Sequence, residues 1–403
     1  MPLADDAAAL RNGLAARQGV PPNTVRVVRS PYRICPLGAH IDHQLGRVTA
    51  MALDRGVLLA YAPLPAPEVR LTSRDFPGEV AFRYDDVPDR IPGDWGNFPR
   101  GAVRALQRSH SLTRGLVGRT QGSIAEGGLS SSAAVGVAYL LALEDVNGLP
   151  VTPADNIRLD QYIENEYLGL RNGILDQSAI LLSRRGHLTV VDCATVQHEL
   201  VPRPAALPPF AVLIAGSGLR QTLVSTDYNR RVAECAEAAR TLLAAAGRPS
   251  AEPLLGNVSA AEYAAHRDRL SGPAARRAQH FFSEMDRVDR GVDAWRRGDL
   301  AELGRLITAS GESSIRHYEC GAPPLVDLYH VLIETPGVLG ARFSGAGFRG
   351  CCLALAAPQL AERAAARVQE AYAQRYPELA SRAEVLISEP DDGAQVLSQR
   401  GSE

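Results

Sequence analysis

The sequence predicts a two-domain protein of the α+β class. Its 403 residues, of which 45% are hydrophobic, suffice to bury the cores of two domains. Short segments with strand patterns are separated from longer segments with helical periodicity. A proline-rich stretch at residues 201–209 has the composition of a linker. We therefore expect one domain over residues 1–203 and a second over residues 204–403.

The first domain opens with strand patterns. Residues 25–29 predict a strand, and residues 48–62 are rich in β-forming side chains with a break at residues 55–56. Residues 69–84 predict further strands, and residues 99–107 predict the first helix after them.

A loop rich in glycine and serine precedes the remaining predicted helices and strands. The helix behind this loop runs to about residue 147, and Thr152 caps the next helix, which ends near residue 170. The later elements are strands at 188–192 and 211–215, a helical region over 228–309 with arginines and glutamates facing solvent, a strand–turn–strand at 338–356, a helix near 359–372 and a strand near 385–388.

The composition of the chain indicates its cellular compartment and excludes some classes of binding partner. The net charge of −2 and the pI near 6.5 argue against non-specific binding to nucleic acid. No run approaches the roughly 18 apolar residues of a membrane span, and the first residues lack the pattern of a signal peptide. Six cysteines without a C-x-x-C pair indicate reduced thiols. We therefore expect a cytoplasmic protein, a monomer or weak homo-oligomer, with no nucleic-acid or membrane partner.

The chain contains no lysine, so all 43 of its basic residues are arginine. This bias is typical of a genome-wide composition effect, but its chemical consequence is firm. A phosphate-binding lysine, a Schiff-base lysine and a lysine general base are all excluded. Any phosphate must be bound by backbone N–H groups, hydroxyls, a metal ion or arginine.

One loop, ahead of an apolar helix, is the centre of the pattern. It consists of Gly127, Gly128, Leu129, Ser130, Ser131, Ser132 and Ala133. Glycine lets a backbone approach a ligand closely, and the free N–H groups of a first helical turn suit a phosphate. We expect a serine-capped helix that begins at about residue 129 or 130. By itself, such a stretch is more often a plain loop with a helix cap.

Three further segments carry polar residues in suggestive patterns: residues 30–43, 169–178 and 342–350. The glycines of the third suit a tight bend pressed against another backbone. The histidines and aspartate of the first could also bind a metal, but a zinc site needs three or four converging ligands.

Together, in this order, these segments resemble the GHMP kinases, the superfamily of galactokinase and of homoserine, mevalonate and phosphomevalonate kinases. Residues 30–43 correspond to the galactokinase signature, residues 127–134 to the phosphate loop and residues 342–350 to the C-terminal glycine motif. Residues 173–177 match the galactokinase segment that carries the catalytic aspartate. The resemblance spans most of the chain, and four blocks in one order argue strongly against chance.

The resemblance implies a fold and cofactors. The N-terminal domain would be of the ribosomal protein S5 domain 2 type and the C-terminal domain ferredoxin-like, with the active site in the cleft between them. ATP would be the phosphoryl donor and Mg²⁺ the metal ion. The expected reaction is phosphorylation of D-galacturonate at its anomeric C1 hydroxyl. A galactokinase, a glucuronokinase and a regulator that binds sugar and ATP without useful catalysis remain alternatives.

The resemblance also implies catalytic and metal-binding residues. Asp176 would accept the proton of the anomeric hydroxyl or orient that hydroxyl. Arg33 would keep Asp176 ionised and offset charge on the moving phosphoryl group. Ser132 and Glu164 match the magnesium ligands of the family, and a hydroxyl with a carboxylate is suitable oxygen ligation.

Binding residues follow from the same motifs. Residues 127–133 would surround the ATP phosphates, and Gly345, Ala346 and Gly347 form the glycine motif, with alanine where galactokinases have a third glycine. The residues expected at the sugar are Ala39, His40, Asp42, His43, Arg171, Gly173 and Tyr228. Of these, Arg171 and His43 are candidates for the cationic partner of a carboxylate. Alternatively, Arg171 is an ordinary surface side chain, and His43 is a histidine packed in the core with its hydrogen bonds satisfied.

Ala39 is the departure that bears on the substrate. Galactokinases have Gly-Glu-His where this chain has Gly38-Ala39-His40. That glutamate would accept a hydrogen bond from the C6 hydroxyl of galactose but would repel a C6 carboxylate. At about 4 Å and an effective dielectric near 20 the repulsion is on the order of 4 kcal/mol, roughly a thousandfold in affinity. Alanine removes the repulsion and leaves room, which favours a uronic acid.

Overall fold

The computed structural model describes residues 3–122, 129–219, 227–348 and 350–397. In these ranges the α-helices are α1 (Leu3–Gln18), α2 (Asn97–Leu106), α3 (Ser131–Asn147), α4 (Pro153–Tyr162), α5 (Leu175–Leu182), α6 (Tyr228–Ala245), α7 (Ala260–His266), α8 (Gly272–Arg297), α9 (Leu300–Ser313), α10 (Pro323–Ile333) and α11 (Ala361–Arg375). The strands are β1 (Arg26–Ile34), β2 (Arg47–Leu64), β3 (Glu68–Ser73), β4 (Glu79–Arg83), β5 (Gly115–Gly122), β6 (His187–Asp192), β7 (Gln197–Pro202), β8 (Ala211–Gly216), β9 (Val338–Phe343), β10 (Cys351–Ala356), β11 (Val385–Ser388), β12 (Pro390–Asp391) and β13 (Gln395–Leu397).

The first sheet is built around β2. Within the described ranges the strand order is β13–β1–β2–β5–β3–β4, and β6 joins the beginning of β2 with β7 beside it. Residues 47–50 of β2 pair with β6, and residues 57–64 pair with β5. The pairs are antiparallel except that of β3 with β5.

The predicted break at residues 55–56 is wrong, because β2 is one continuous strand of 18 residues. A Cβ atom on Gly56 would lie 2.3 Å from the carbonyl oxygen of Ser30 in β1. Gly56 therefore permits the close approach of the two strands rather than ending one of them.

Both faces of the first sheet are covered by helices. Successive residues of a strand point to opposite faces, and Leu58 and Ala60 pack with α1 while Leu59 and Tyr61 lie in the main core with α3. The sequence patterns predict no helix over residues 3–18, where the structure has α1.

The second sheet has the antiparallel order β11–β8–β10–β9, with α9, α10 and α11 packed on it. The chain then returns to the first sheet, where β12 pairs with β2 and β13 pairs with β1. Two sheets with their own helices confirm the predicted α+β class. Residues 390–397 thus lie in the sheet of the predicted first domain, and the boundary at residues 203–204 stays a prediction.

The expectation that arginines and glutamates between 228 and 309 face solvent is wrong for several of them. Arg277 and Glu284 on α8 are fully buried, and Arg231 on α6 is nearly so. Arg277 is paired with Glu234 and Glu319, which explains how its charge is tolerated.

Two helix starts bear on the site. The helix after the glycine–serine loop begins at Ser131, and Ser130 precedes it with no side-chain cap hydrogen bond, contrary to the predicted serine cap. Thr152 caps α4 as predicted, because its side chain accepts a hydrogen bond from the backbone N–H of Asp155. In the described parts of the chain we find no helix with the length and apolar character needed to cross a bilayer.

Candidate active site

The start of α3 holds the described part of the predicted ATP-binding stretch. That part consists of Leu129, Ser130, Ser131, Ser132 and Ala133. Ser130 has a left-handed backbone with φ of 57°, and the two serines after it form the first helical turn. Free N–H groups and the helix dipole make such a turn favourable for a phosphate. Gly127 and Gly128 lie outside the described residues.

Ser132 and Glu164, the predicted magnesium ligands, lie side by side. The Ser132 hydroxyl donates to Glu164 Oε1 at 2.7 Å, and Asn172 Nδ2 donates to Oε2 at 3.1 Å. Burial and the nearby charge of Asp176 raise the pKa of the Glu164 carboxyl to about 7. A buried carboxyl with a raised pKa is stabilised in its ionised form by a cation.

The predicted catalytic pair forms directly. In the structure Arg33, on β1, contacts Asp176 Oδ1 through Nε at 2.8 Å and through Nη2 at 2.7 Å. Its Nη1 also donates to the hydroxyl of Ser344 at 3.4 Å. Although burial opposes its charge, Asp176 holds the pKa of Arg33 above its ordinary value. Arg33 therefore joins three of the predicted segments at one point.

Asp42 lies against Gly173. A Cβ atom on Gly173 would lie 2.4 Å from Asp42 Oδ2, so glycine at this position makes room for the carboxyl. Burial, and then the charge of Asp176, raise the pKa of Asp42 to about 6. Asp42 and Asp176 thus face one site from two different segments.

His40 brings the first segment against the glycine motif. Its ring stacks on that of Tyr318, with centroids 4.2 Å apart. A Cβ atom on Gly347 would lie 3.0 Å from His40 Cε1, and Gly345 and Gly347 both have positive φ. Ala346 lies between them, so the third segment makes its turn with alanine in the middle position.

His43 is a neutral, hydrogen-bonded side chain. Its Nε2 lies 3.1 Å from the Tyr318 hydroxyl, and its Nδ1 lies 3.0 Å from the side-chain amide of Gln44. Burial lowers the pKa of His43 to about 4. The packed-histidine alternative therefore fits its surroundings, and at neutral pH the ring offers no positive charge.

Arg171 and Tyr228 are neighbours. The Tyr228 hydroxyl donates to the backbone oxygen of Arg171 at 3.4 Å. Arg171 is exposed, and among the described residues no carboxylate forms an ion pair with it. A cleft of about 460 Å³ is lined by Arg171 together with Asp42, His43 and Gly173. This volume is in the range of small-molecule sites.

Ala39 is fixed through both of its backbone groups. Its N–H donates to Glu284 Oε1 at 3.0 Å, and its carbonyl oxygen lies 2.8 Å from His280 Nε2. Neither His280 nor Glu284 was singled out from the sequence, and Tyr318 was also missed. Their only sequence signal is the spacing of four residues that places His280 and Glu284 on one face of α8.

The described residues contain no group of three or more His, Cys, Asp and Glu side chains placed to hold a metal ion. The sequence offered two possible metal sites, the histidines and aspartate of residues 40–43 and the pair of Ser132 and Glu164. The second pair does place a hydroxyl beside a carboxylate. The described residues offer a helix N-terminus for phosphate and an arginine–aspartate pair, and the neighbouring cleft is reached through Asp42 and Gly173, although Asp176 itself does not line it. This combination suits phosphoryl transfer to a hydroxyl.

Comparison with protein families gives three matches along the chain. Residues 16–63 match the galactokinase galactose-binding signature, residues 97–184 match the GHMP kinases N terminal domain, and residues 292–374 match the GHMP kinases C terminal domain. The three matched regions contain β1, the Ser132–Glu164 pair with Asp176, and the glycine motif.

Individual relatives cover nearly the whole chain. A galacturonokinase from Arabidopsis thaliana is 51% identical over 412 aligned residues, covering 96% of this chain and 97% of its own. A galactokinase from Roseiflexus sp. (strain RS-1) is 32% identical, with 87% and 88% covered. Among solved structures, Lactococcus lactis galactokinase complexed with galactose superimposes with a TM-score of 0.88 at 28% identity, covering 97% of this chain and 99% of that one.

Proposed function

This chain belongs to the galactokinase family of the GHMP kinases, and from that membership we propose that it phosphorylates D-galacturonate at C1. It is an ATP-dependent phosphotransferase that acts on a sugar, and its fold is that of the GHMP kinases. The proposed products are α-D-galacturonate 1-phosphate and ADP.

The substrate proposal rests on Ala39. The Arabidopsis galacturonokinase is the relative with 51% identity, but the physical argument stands apart from that name. A glutamate at this position would oppose a C6 carboxylate by about 4 kcal/mol at a separation near 4 Å, and alanine removes that charge. D-Glucuronate differs from D-galacturonate only at C4 and carries the same C6 carboxylate, so the argument from residue 39 applies to it equally. The assay must therefore compare the two uronates directly.

Arg33 and Asp176 are the proposed catalytic residues. The anomeric hydroxyl would approach the Asp176 carboxylate, which accepts its proton or orients it. The described contacts between Arg33 and Asp176, through Nε and Nη2, fall on Oδ1, and we assign Oδ2 to the substrate. The guanidinium of Arg33 pairs with the Asp176 carboxylate and would offset the negative charge on the transferred group.

Ser132 and Glu164 are the proposed ligands of Mg²⁺. They fit the ion because a hydroxyl and a buried carboxyl lie 2.7 Å apart beside the helix N-terminus. Bound there, Mg²⁺ would offset the charge of the nucleotide phosphates. Residues 127–133 are the proposed phosphate loop, and the turn at 345–347 closes the site from the second sheet.

The sugar is proposed to lie among Ala39, His40, Asp42, Gly173 and Tyr228. Its carboxylate needs a positive partner, because a buried unpaired charge is costly. Of the two candidates, His43 is neutral at neutral pH, whereas Arg171 is charged and lines the cleft beside Asp42. We therefore assign the carboxylate to Arg171.

The experiment is ADP release with Mg·ATP and matched concentrations of D-galacturonate, D-glucuronate and D-galactose. We expect D-galacturonate to give the highest kcat/KM. A preference for galactose would overturn the argument from Ala39 and leave the kinase assignment in place. Binding of sugar and ATP without ADP release would support the regulator instead.

A further inference from the structure

The backbone around Ala39 is held by side chains from the opposite part of the chain. Ala39 lies on the loop after β1, whereas Glu284 and His280 lie on α8, about 240 residues later. Glu284 Oε1 accepts hydrogen bonds from the N–H groups of Gly38 at 2.8 Å and Ala39 at 3.0 Å. One buried oxygen therefore fixes two successive peptide groups.

Glu284 is itself held in place. Its Oε1 also accepts from the Ser310 hydroxyl at 2.7 Å, and its Oε2 accepts from Arg287 Nε at 2.6 Å. Burial alone would disfavour the charge, yet the positive charge of Arg287, with smaller effects from His280 and Arg342, lowers the pKa of Glu284 to about 2. The carboxylate is thus ionised and fully supplied with donors, which makes it a rigid anchor.

His280 fixes the other side of the same peptide. Its Nε2 lies 2.8 Å from the Ala39 carbonyl oxygen, and its Nδ1 lies 2.9 Å from the Ser313 hydroxyl. A carbonyl oxygen can only accept, so Nε2 carries the hydrogen and Nδ1 accepts from Ser313. Burial lowers the pKa of His280 to about 4, so the ring keeps this single neutral tautomer at neutral pH.

The loop has little freedom of its own to replace these contacts. Gly38 has φ of 106°, and a Cβ atom there would lie 2.7 Å from Val48 Cα. His40 also has a left-handed backbone, with φ of 58°. Both residues that flank Ala39 thus have positive φ, and for His40, which is not a glycine, such a conformation persists only where the surroundings enforce it.

From this geometry we infer that His280 and Glu284 are positioning residues that set sugar selectivity by fixing the peptide at Ala39. The inference rests on the proposed function, in which residue 39 faces C6 of the sugar. The direction of the Ala39 Cβ decides how much room a C6 carboxylate has, and displacements near 1 Å in a site can cost about a hundredfold in rate. Neither side chain contacts the sugar in this account.

The test measures the ratio of kcat/KM for D-galacturonate to that for D-galactose on one enzyme preparation, since this ratio is independent of the folded fraction. His280→Leu removes the donor to Ala39. We expect it to reduce the ratio by about tenfold or more, the size of one lost buried hydrogen bond, with KM for ATP unchanged. His280→Gln restores an N–H donor and should recover most of the ratio.

The matched control is Trp295→Phe on the same helix. Trp295 Nε1 donates to the carbonyl oxygens of Val201 and Pro202, each at 3.2 Å, so this variant also removes a buried donor to backbone carbonyls, but about three turns further along α8 than Glu284. The inference is overturned if His280→Leu leaves the ratio at the wild-type value, or if Trp295→Phe changes it equally. Glu284→Gln, which keeps an acceptor oxygen but loses the charge, provides a second variant should His280→Leu fail to fold.

Failure of the substrate proposal is separable from failure of this inference. If the wild-type protein prefers galactose or D-glucuronate, the substrate is wrong, and the ratio of the preferred sugar to its competitor still tests the loop. If no sugar is phosphorylated, the ratio of the two sugar dissociation constants serves the same purpose.

Discussion

Asp176 shares one oxygen, Oδ1, between two nitrogens of Arg33. Asp176→Asn keeps the shape of the side chain but removes the charge and the proton-accepting oxygen. We expect kcat to fall by about 10²–10⁴, the usual contribution of a positioned acid or base, while the dissociation constant for ATP changes little. Single-turnover kinetics with separate nucleotide-binding titration would show this, and near-wild-type turnover would remove Asp176 from the mechanism.

Residue 39 separates the effect of charge from the effect of size. Ala39→Glu introduces a negative charge opposite the proposed C6 carboxylate, and we expect kcat/KM for D-galacturonate to fall by roughly a thousandfold relative to that for galactose. Ala39→Gln is the matched control, because it has the same length without the charge. An unchanged ratio in Ala39→Glu, or an equal loss in both variants, would contradict the electrostatic argument.

At this scale, sequence reasoning found the residues that lie in recognisable motifs. Arg33, Ser132, Glu164 and Asp176 are brought together in pairs at hydrogen-bond distance. His280 was missed because its partner is a backbone oxygen on a loop distant along the chain. No local pattern encodes such a contact; only the assembled fold creates it.

Helices α3 and α4 cross at a glycine. A Cβ atom on Gly136 would lie 2.1 Å from Asp160 Oδ1. The Asp160 side chain is buried, and within the described ranges neither of its carboxyl oxygens has a hydrogen-bond partner. Burial raises the pKa of Asp160 well above its ordinary value, so the carboxyl is held in its neutral form. This contact lies one helical turn from the pair of Ser132 and Glu164, so we expect the spacing of the two helices to affect the proposed metal site.

Gly136→Ala should therefore push the two helices apart. We expect a loss of about 1–3 kcal/mol in the free energy of unfolding, as for overpacking of a core, and a higher Mg²⁺ requirement. Gly13→Ala is the control, since it makes the same change in α1 with open space around the Cβ and should be neutral or slightly stabilising. The double variant Gly136→Ala, Asp160→Ala removes the clash. If its free energy of unfolding, measured with urea, is higher than that of Gly136→Ala alone, the contact with Asp160 is the cause of the loss.

Element boundaries were predicted well where local chemistry decides them. The Thr152 cap is an example, because its hydrogen bond spans three residues. The predicted break at Gly56 is wrong for the opposite reason. Glycine is needed there because the neighbouring strand β1 lies too close for a Cβ atom, and not because β2 ends. Helix α1 was missed because only docking on β2 gives its apolar residues a partner.

Across the whole molecule, the pattern of strands and helices predicted the α+β class, and the order of the motifs predicted that distant segments converge. Arg33 of the first segment contacts both Asp176 and Ser344, and His40 lies against Gly347. The path of the last residues could not be predicted, since β12 and β13 are two and three residues long. Strands so short carry no periodicity; β13 forms by pairing with β1 at an edge of the first sheet, and β12 forms by pairing with residues 52–53 of the central strand β2.

Asp391 fastens that returning segment. Its Oδ2 lies 2.5 Å from Arg29 Nη1 on β1, with both side chains at most 10% exposed, and its Oδ1 lies 2.7 Å from Arg185 Nη2. Asp391→Ala would leave the buried Arg29 with backbone acceptors but without its carboxylate partner, so we expect a loss of about 3–5 kcal/mol in the free energy of unfolding. The control is Asp289→Ala, whose pair with Arg47 is exposed and should contribute at most about 1 kcal/mol.

The pH dependence provides the decisive check on this attribution. Burial opposes the charge of Asp391, but the backbone N–H of Asp392 and the guanidinium groups of Arg29 and Arg185 together lower its pKa below the ordinary 3.8. A depressed carboxyl pKa stabilises the folded state above the unfolded-state pKa, and this contribution is lost as the pH falls through the folded-state pKa. The stability gap between wild type and Asp391→Ala should therefore be constant above about pH 5 and narrow below about pH 4. A gap that persists unchanged in acid would mean that lost packing, rather than the ion pair, holds the end of the chain to the first sheet.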